Sequence, residues 1–153
     1  MKTSKLRLDD YLPYRLSVAS NEVSRLISRA YEDRFGLSVP QWRLICVLAE
    51  DGSATPQAMV ARTAMDKVMV SRAAQALTLR HLIQRTPNAA DGRSHHLELT
   101  EIGRQLYAEV APLALDYERD VLDGLSSEEV RSLKALLLIL EQRAAKLAED
   151  SFK

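Results

Sequence analysis

The fold is decided by residues 79–100, which read Leu79-Arg80-His81-Leu82-Ile83-Gln84-Arg85 and, after five further residues, Asp91-Gly92-Arg93-Ser94-His95-His96-Leu97-Glu98-Leu99-Thr100. A helix end comes first, and the two alternating segments that follow are typical of short strands. Asp91, Gly92 and Arg93 between them are typical of a tight turn. This stretch therefore predicts a two-stranded wing with an arginine at its tip.

Two short helices with favourable starts precede this hairpin. Thr55 followed by Pro56 predicts a helix to about Thr63, because threonine caps the first turn and proline fits the first helical position. Asp66 predicts the cap of a second helix that continues to about Arg80. Two capped helices followed by a wing are typical of a winged helix-turn-helix, which contacts duplex DNA in two grooves.

Longer helices flank this lobe. Apolar residues at helical spacing predict one helix from near Leu12 to Phe35, which Gly36 ends. Capping boxes at Ser38–Gln41 and Ser126–Glu129 predict the starts of two further helices. The last helix carries an apolar seam with alternating spacings of three and four, typical of packing against another helix: Val130, Leu133, Leu137, Leu140, Ala144 and Leu147.

The predicted fold is mainly α with a small β-hairpin wing, in a single domain of about residues 8–147. A winged helix-turn-helix lobe covers about residues 37–100. Long N- and C-terminal dimerisation helices cover about residues 11–35 and 101–149, the latter starting after a cap at Thr100. Because the lobe is too small to cover the apolar stripes of both, we expect a homodimer, whose two-fold symmetry would match a pseudo-palindromic operator.

The charges are segregated, although the 153-residue chain has 21 basic and 21 acidic residues. Residues 55–104 contain 7 basic and 4 acidic side chains, whereas residues 105–153 contain 6 and 10. A basic lobe can attract DNA phosphates despite the zero net charge. There is one cysteine, no signal peptide pattern, and no apolar run of the about 18 residues that a membrane span needs. We therefore expect a cytoplasmic protein without a membrane partner.

The second capped helix is the predicted recognition helix. Val70, Ala74 and Leu77 recur at core spacing, so the other positions should face outward. Arginine and glutamine there could read base edges, and apolar side chains could contact thymine methyl groups. The predicted DNA contacts on this helix are Lys67, Val68, Met69, Ser71, Arg72 and Gln75.

The hairpin provides the remaining predicted contacts. Arg93 should enter the minor groove, where the negative potential favours arginine, and Asp91 should brace the turn. Arg85, at the hairpin base, is a candidate for phosphate. The alternative is a plain surface hairpin in which Asp91 pairs with Arg93. His95 and His96 alternate across a strand and cannot chelate one metal side by side, so we predict no metal site, and no cofactor.

These residues together resemble the MarR family of bacterial transcription regulators, from about Tyr11 to Ala145. The resemblance is carried by Val39-Pro40-Gln41-Trp42-Arg43, by Met65-Asp66-Lys67-Val68-Met69-Val70-Ser71-Arg72, and by Leu82-Ile83-Gln84-Arg85, Asp91, Arg93, Leu99-Thr100 and Gly103. It implies a MarR-type homodimer with interlocked terminal helices and two winged lobes that read a palindromic operator. It also implies release from DNA by a small phenolic or other ligand, or by an oxidant.

Two positions depart from the family pattern. His81 stands where a glycine is usual, and Gly92 stands where a second wing cation is usual. Histidine tolerates a left-handed backbone better than most residues, so we expect the helix end to survive. The loss of a wing cation should weaken contact with DNA.

A candidate ligand site combines aromatic rings with arginines where the dimer and the lobe should meet: Tyr11, Tyr14, Arg15, Trp42 and Arg43. Stacking plus a bidentate arginine pair would suit an aromatic carboxylate. The resemblance favours phenolic acids or their thioesters as effectors. The alternative is that these residues only pack the junction, with the arginines ion-paired.

The leading interpretation is a sequence-specific transcriptional repressor that a small-molecule effector releases. An oxidant-sensing regulator of the same fold is one alternative, but Cys46 lies in an apolar run and is predicted to be a structural thiol. A helical interaction protein that does not bind DNA is the other, and it would not need a wing. We predict no catalytic residues, because no arrangement of nucleophile, base and orienting group and no phosphate-binding glycine loop is present.

Overall fold

The computed structural model describes residues 5–87 and 95–152. A 3-10 turn at Leu8–Asp10 precedes the first helix. The remaining elements are α1 (Leu12–Ser28), α2 (Glu32–Phe35), α3 (Val39–Asp51), β1 (Ser53–Ala54), α4 (Pro56–Thr63), α5 (Lys67–Leu79), β2 (Ile83–Pro87), β3 (His95–Leu99), α6 (Glu101–Leu122) and α7 (Ser127–Asp150). The predicted class, mainly α with a small β wing, is confirmed.

The three strands form one antiparallel sheet in the order β1-β3-β2. β2 and β3 are the two predicted arms of the wing, and Ile83 pairs with Leu99 at its base. β1 pairs with β3 through Ala54 and Leu97. The sequence does not predict β1, because a two-residue strand is too short to show an alternating pattern.

The predicted helix starts are confirmed by their side-chain caps. Thr55 and Asp66 each accept a hydrogen bond from the backbone N–H three residues later, at 3.1 and 2.8 Å. Both predicted capping boxes form, at Ser38–Gln41 and Ser126–Glu129. These starts are therefore specified by local sequence.

The prediction of one helix from Leu12 to Phe35 is wrong. α1 ends at Ser28 and α2 begins only at Glu32. Between them Tyr31 leaves the helical region, with φ of −137°, and its side chain is buried in the core with 2% exposure. Burial of this aromatic ring stabilises the broken helix relative to one that continues through Tyr31.

Four described residues at helix ends have a positive φ, and one of them is Gly52, which ends α3 with φ of 81°. Gly36 ends α2 with φ of 64°, as predicted, and Ala64 ends α4 with φ of 53°. His81 follows α5 with φ of 57°. The expectation that histidine replaces the usual glycine without loss of the helix end is confirmed.

The core lies where α3, α4, α5 and the sheet meet. Its most deeply buried side chains are Leu37, Leu44, Ile45, Leu48, Met59, Val70, Leu77, Ile83 and Val110. On α5 the predicted core positions Val70 and Leu77 are buried. The third buried residue of α5 is Ala73, which is 4% exposed, whereas Ala74, the residue that the sequence predicts, is only half-buried.

The contacts divide the chain into two compact units, one ending at Tyr117 and one beginning at Glu118. The second unit contains the end of α6 and all of α7. Val130 and Leu137 of the predicted seam are half-buried, whereas Leu133, Leu140 and Leu147 are exposed. Within the described ranges, no helix is both long and apolar enough to span a membrane.

Candidate functional site

The outward face of α5 consists of the six residues predicted to contact DNA: Lys67, Val68, Met69, Ser71, Arg72 and Gln75. All six are exposed, including 58% of Val68 and 41% of Met69. Sequence reasoning misses Leu79, which is 81% exposed. Its spacing of seven residues from Arg72 places it on the same side of the helix and could have revealed it.

The position of α5 is fixed at both ends. Asp66 caps its start through the Met69 N–H, and its inward residues lie in the core. At its end the Arg80 guanidinium donates hydrogen bonds to the carbonyl oxygens of Phe35 and Gly36, at 2.7 and 3.2 Å. These bonds satisfy carbonyls at the end of α2 and hold the last turn of α5 against it.

The described cations of the lobe and of the first turn of α6 fall into two groups. Three arginines form hydrogen bonds or ion pairs with described residues: Arg62, Arg80 and Arg104. Four other cations are exposed and form no ion pair with any residue in ranges 5–87 and 95–152: Arg43, Lys67, Arg72 and Arg85. The positive charge left to attract a polyanion therefore lies on α3, α5 and β2.

The wing presents Arg85 on β2, opposite Leu97 of β3. Its neighbour Gln84 donates a hydrogen bond to Glu98 across the pair at 2.7 Å. The predicted turn residues Asp91, Gly92 and Arg93 lie outside the described residues. Their roles therefore stay predictions from the sequence.

An open cleft of about 400 Å³ lies between α1, α3 and α4. Its wall is largely apolar, with Val23 and Ile27 from α1 and Val39 and Val47 from α3. Trp42 and Arg43, two of the five predicted ligand residues, also line it.

The other three predicted ligand residues, Tyr11, Tyr14 and Arg15, do not line this cleft. They lie at the start of α1, whereas the cleft is lined by α1 residues from Val23 onward. At a rise of 1.5 Å per residue, Tyr11 and Val23 are about 18 Å apart along the axis of α1. The predicted five-residue site is therefore not brought together within one chain.

Trp42 belongs to a stack of three aromatic rings. Its ring centroid lies 5.5 Å from that of Tyr31 and 5.7 Å from that of Tyr107, with interplanar angles of 22° and 21°. Only 9% of Trp42 is exposed, so little of its ring remains for the predicted stacking with a ligand. Sequence reasoning misses Tyr31, which also lines the cleft, because the apolar spacing predicts one continuous helix through this position.

Two arginines line the cleft, and they differ in whether they form ion pairs. Arg43 is exposed and forms no ion pair with a described residue. Arg62 donates hydrogen bonds to Asp51 at 2.7 Å and to Glu50 at 2.8 Å. These two carboxylates raise the pKa of Arg62. Sequence reasoning misses Arg62, because its partners lie across a turn on another helix.

Cys46 is half-buried in the cleft wall. Burial, with a smaller effect from Glu50, raises the pKa of its thiol to about 12. The thiol is therefore almost fully protonated near neutral pH and is a poor nucleophile. This environment agrees with a structural cysteine.

Comparisons with known proteins give a consistent relationship. The model of the MarR family matches residues 35–94. The HTH-type transcriptional repressor NicR of Pseudomonas putida is 25% identical over 138 residues, which cover 84% of this chain and 85% of NicR. The structure of a probable transcriptional regulator from Pseudomonas aeruginosa is 30% identical with a TM-score of 0.77, covering 88% of this chain and 99% of that one. The structure of a MarR/EmrR family transcriptional regulator from Acinetobacter sp. ADP1 is 26% identical with a TM-score of 0.85, covering 92% and 99%. The chain therefore belongs to the MarR family of transcriptional regulators.

Proposed function

We propose that this chain is a homodimeric repressor that binds a pseudo-palindromic operator in double-stranded DNA and is released by a small effector. The observation that carries the proposal is the outward face of α5, where cations with no ion-pair partner among the described residues lie beside exposed apolar side chains. A merely solvated face gains nothing from exposing Val68 and Met69. A surface in the major groove can place both against thymine methyl groups.

Residues 37–100 form the DNA-reading lobe in this proposal. Arg72 and Gln75 would bond base edges, because their side chains match the hydrogen-bonding groups of guanine and adenine. Lys67 and Arg85 would contact phosphates and set the register of the lobe on the duplex. At the wing tip, Arg93 would enter the minor groove while Asp91 braces the turn.

Dimerisation is supported by apolar side chains that each unit leaves exposed. On α7 the exposed fractions of Leu133, Leu140 and Leu147 are 42%, 39% and 52%. On α1 Leu12 and Leu16 are 51% and 37% exposed. Burial of these surfaces between two copies would stabilise a dimer by about 25 cal/mol for each Å² removed from water.

An effector site is supported by the cleft between α1, α3 and α4. Its volume of about 400 Å³ lies within the range of small-molecule sites. The exposed guanidinium of Arg43 can form a bidentate pair with a carboxylate, while the apolar wall contacts a ring. We therefore propose a small aromatic acid, or a thioester of one, as the effector.

The proposal is tested by selecting DNA fragments that the purified chain retains and sequencing them. We expect two inverted half-sites with centres about one helical turn apart. Anisotropy titrations with the recovered duplex should then show loss of affinity for each single-base change within a half-site. Retention of fragments without a shared motif would contradict sequence-specific binding.

A further inference from the structure

Arg62 belongs both to the wall of the cleft and to an ion pair outside it. It lies in the last turn of α4 and lines the cleft beside Thr63. Its guanidinium is held by Asp51 at 2.7 Å and Glu50 at 2.8 Å, at the end of α3. Neither carboxylate lines the cleft. The same cation therefore faces the cleft on one side and an acidic helix end on the other.

The charge of the cleft favours an anion. Its charged lining residues within the described chain are Arg43 and Arg62, and it contains no carboxylate there. Arg43 has no ion-pair partner among the described residues. A carboxylate held by Arg43 would add a third anionic group near Arg62, in competition with Asp51 and Glu50.

The position of Arg62 connects this competition to the recognition helix. Its ion pairs join α4 to α3, and both helices pack against α5. Only Thr63, the left-handed Ala64 and Met65 separate Arg62 from Asp66, the cap of α5. A shift of the last turn of α4 would therefore reach the start of α5 through a turn of only three residues.

We propose that Arg62 is a positioning residue that couples the cleft to α5: a small organic acid bound at Arg43 draws the Arg62 guanidinium away from Asp51 and Glu50. The inference rests on the proposed function, since it supplies the step by which an effector in the cleft alters DNA binding. With the ion pairs intact, α4 is fixed on the end of α3 and α5 is held for DNA. With an acid bound, that restraint is weakened.

Competition for one guanidinium predicts effects of opposite sign. The Asp51→Asn and Glu50→Gln variants each remove one of the two carboxylates that hold Arg62, so acid binding should tighten while operator binding weakens. Because the Arg62 side chain is 41% exposed, each effect should be about 2- to 5-fold. In Arg62→Gln both acid and operator binding should weaken, since the variant loses the ligand contact and the restraint together.

The test uses benzoate as the acid and benzamide as its uncharged control, read by the emission of Trp42, which is the sole tryptophan and lines the cleft. Operator affinity is measured by anisotropy on the same preparations. The matched control is Glu22→Gln, which removes a carboxylate paired with Arg25 on α1, outside the cleft lining. We expect the opposite shifts for benzoate and operator only at positions 50 and 51.

Benzoate affinities in Asp51→Asn and Glu50→Gln that match the wild type, or fall below it, would overturn the coupling. An equal response to benzamide would overturn it as well, because no anion would then be required. These results would leave sequence-specific DNA binding untouched. Failure of the wild-type chain to select any operator would instead remove the proposed function and this inference with it.

Discussion

The Thr100 hydroxyl donates a hydrogen bond of 2.6 Å to the carbonyl oxygen of His81 and accepts one of 3.1 Å from the Gly103 N–H. The Thr100 N–H also donates to the carbonyl oxygen of Leu82 at 3.0 Å. One residue thus links the left-handed turn after α5, the start of β2 and the first turn of α6. The base of the wing is therefore fixed relative to the recognition helix.

Gly103 makes this junction possible, because a Cβ at that position would overlap the carbonyl oxygen of Leu82. That atom belongs to the backbone and cannot rotate away. We expect Gly103→Ala to lower the free energy of unfolding by about 1–3 kcal/mol, as overpacking in a core does. The matched control is Gly124→Ala, where an added Cβ would meet nothing within 4 Å. Urea denaturation of both variants checks this, and equal stability would contradict the close packing.

Dimerisation through the seam of α7 predicts that Leu137→Asp removes the dimer and operator binding together. An aspartate buried between two copies would lose its hydration without a partner, which is strongly unfavourable. The control is Gln142→Asp, an exposed polar position on the same helix. Sedimentation and anisotropy measure the two properties. A folded Leu137→Asp variant that sediments as a dimer would show that the seam is not the interface.

Cys46 provides a prediction about pH. Because burial raises the pKa of its thiol to about 12, about one molecule in 10,000 carries the reactive thiolate at pH 8. Alkylation by iodoacetamide should therefore be slow in the folded protein, accelerate about tenfold per pH unit, and become fast after denaturation. Peroxide at neutral pH should leave operator binding unchanged. Rapid native alkylation at pH 8 would favour the oxidant-sensing alternative.

Local sequence predicts much of this fold, and the exceptions have a common cause. Thr55 and Asp66 cap helices whose starts depend only on the next three residues, so these starts are predictable. Tyr31 breaks the first predicted helix because its ring is buried in the core and stacks on Trp42 of another helix, which helical spacing does not show. Arg62 lines the cleft and forms ion pairs with Glu50 and Asp51 across a turn, and no spacing rule predicts such a contact. The recognition face of α5 was predictable because it is a single amphipathic helix.

The effector site is tested by Arg43→Gln, with Arg15→Gln as the control. Arg43 lines the cleft and Arg15 does not, although the sequence predicts both. Loss of a charge-assisted hydrogen bond of about 1.5–3 kcal/mol should weaken effector binding about 10- to 100-fold in Arg43→Gln. Operator affinity should stay near the wild-type value in both. Titration with a panel of phenolic acids and their thioesters decides it, and unchanged release in Arg43→Gln would remove this arginine from the site.

Loss of base reading by α5 and loss of the wing contact should change DNA binding in different ways. Arg72 is exposed on α5 without an ion pair among the described residues, so its guanidinium is available to a base edge. We expect Arg72→Ala to cost about 1–3 kcal/mol and to relax the preference at one base pair of each half-site. Arg93→Ala should instead weaken all duplexes evenly and lower the slope of log affinity against log salt by about one per lobe.

The decisive measurement is anisotropy of both variants on the native operator and on single-base variants of it, each across a salt series. Arg25→Ala is the control, because Arg25 is exposed on α1 and paired with Glu22. If Arg72→Ala keeps the wild-type ratio between native and altered duplexes, then Ser71, Gln75 or Lys67 must carry the specificity. If Arg93→Ala binds like the wild type at every salt concentration, the wing tip contributes no contact of its own, and DNA binding rests on α5 and Arg85.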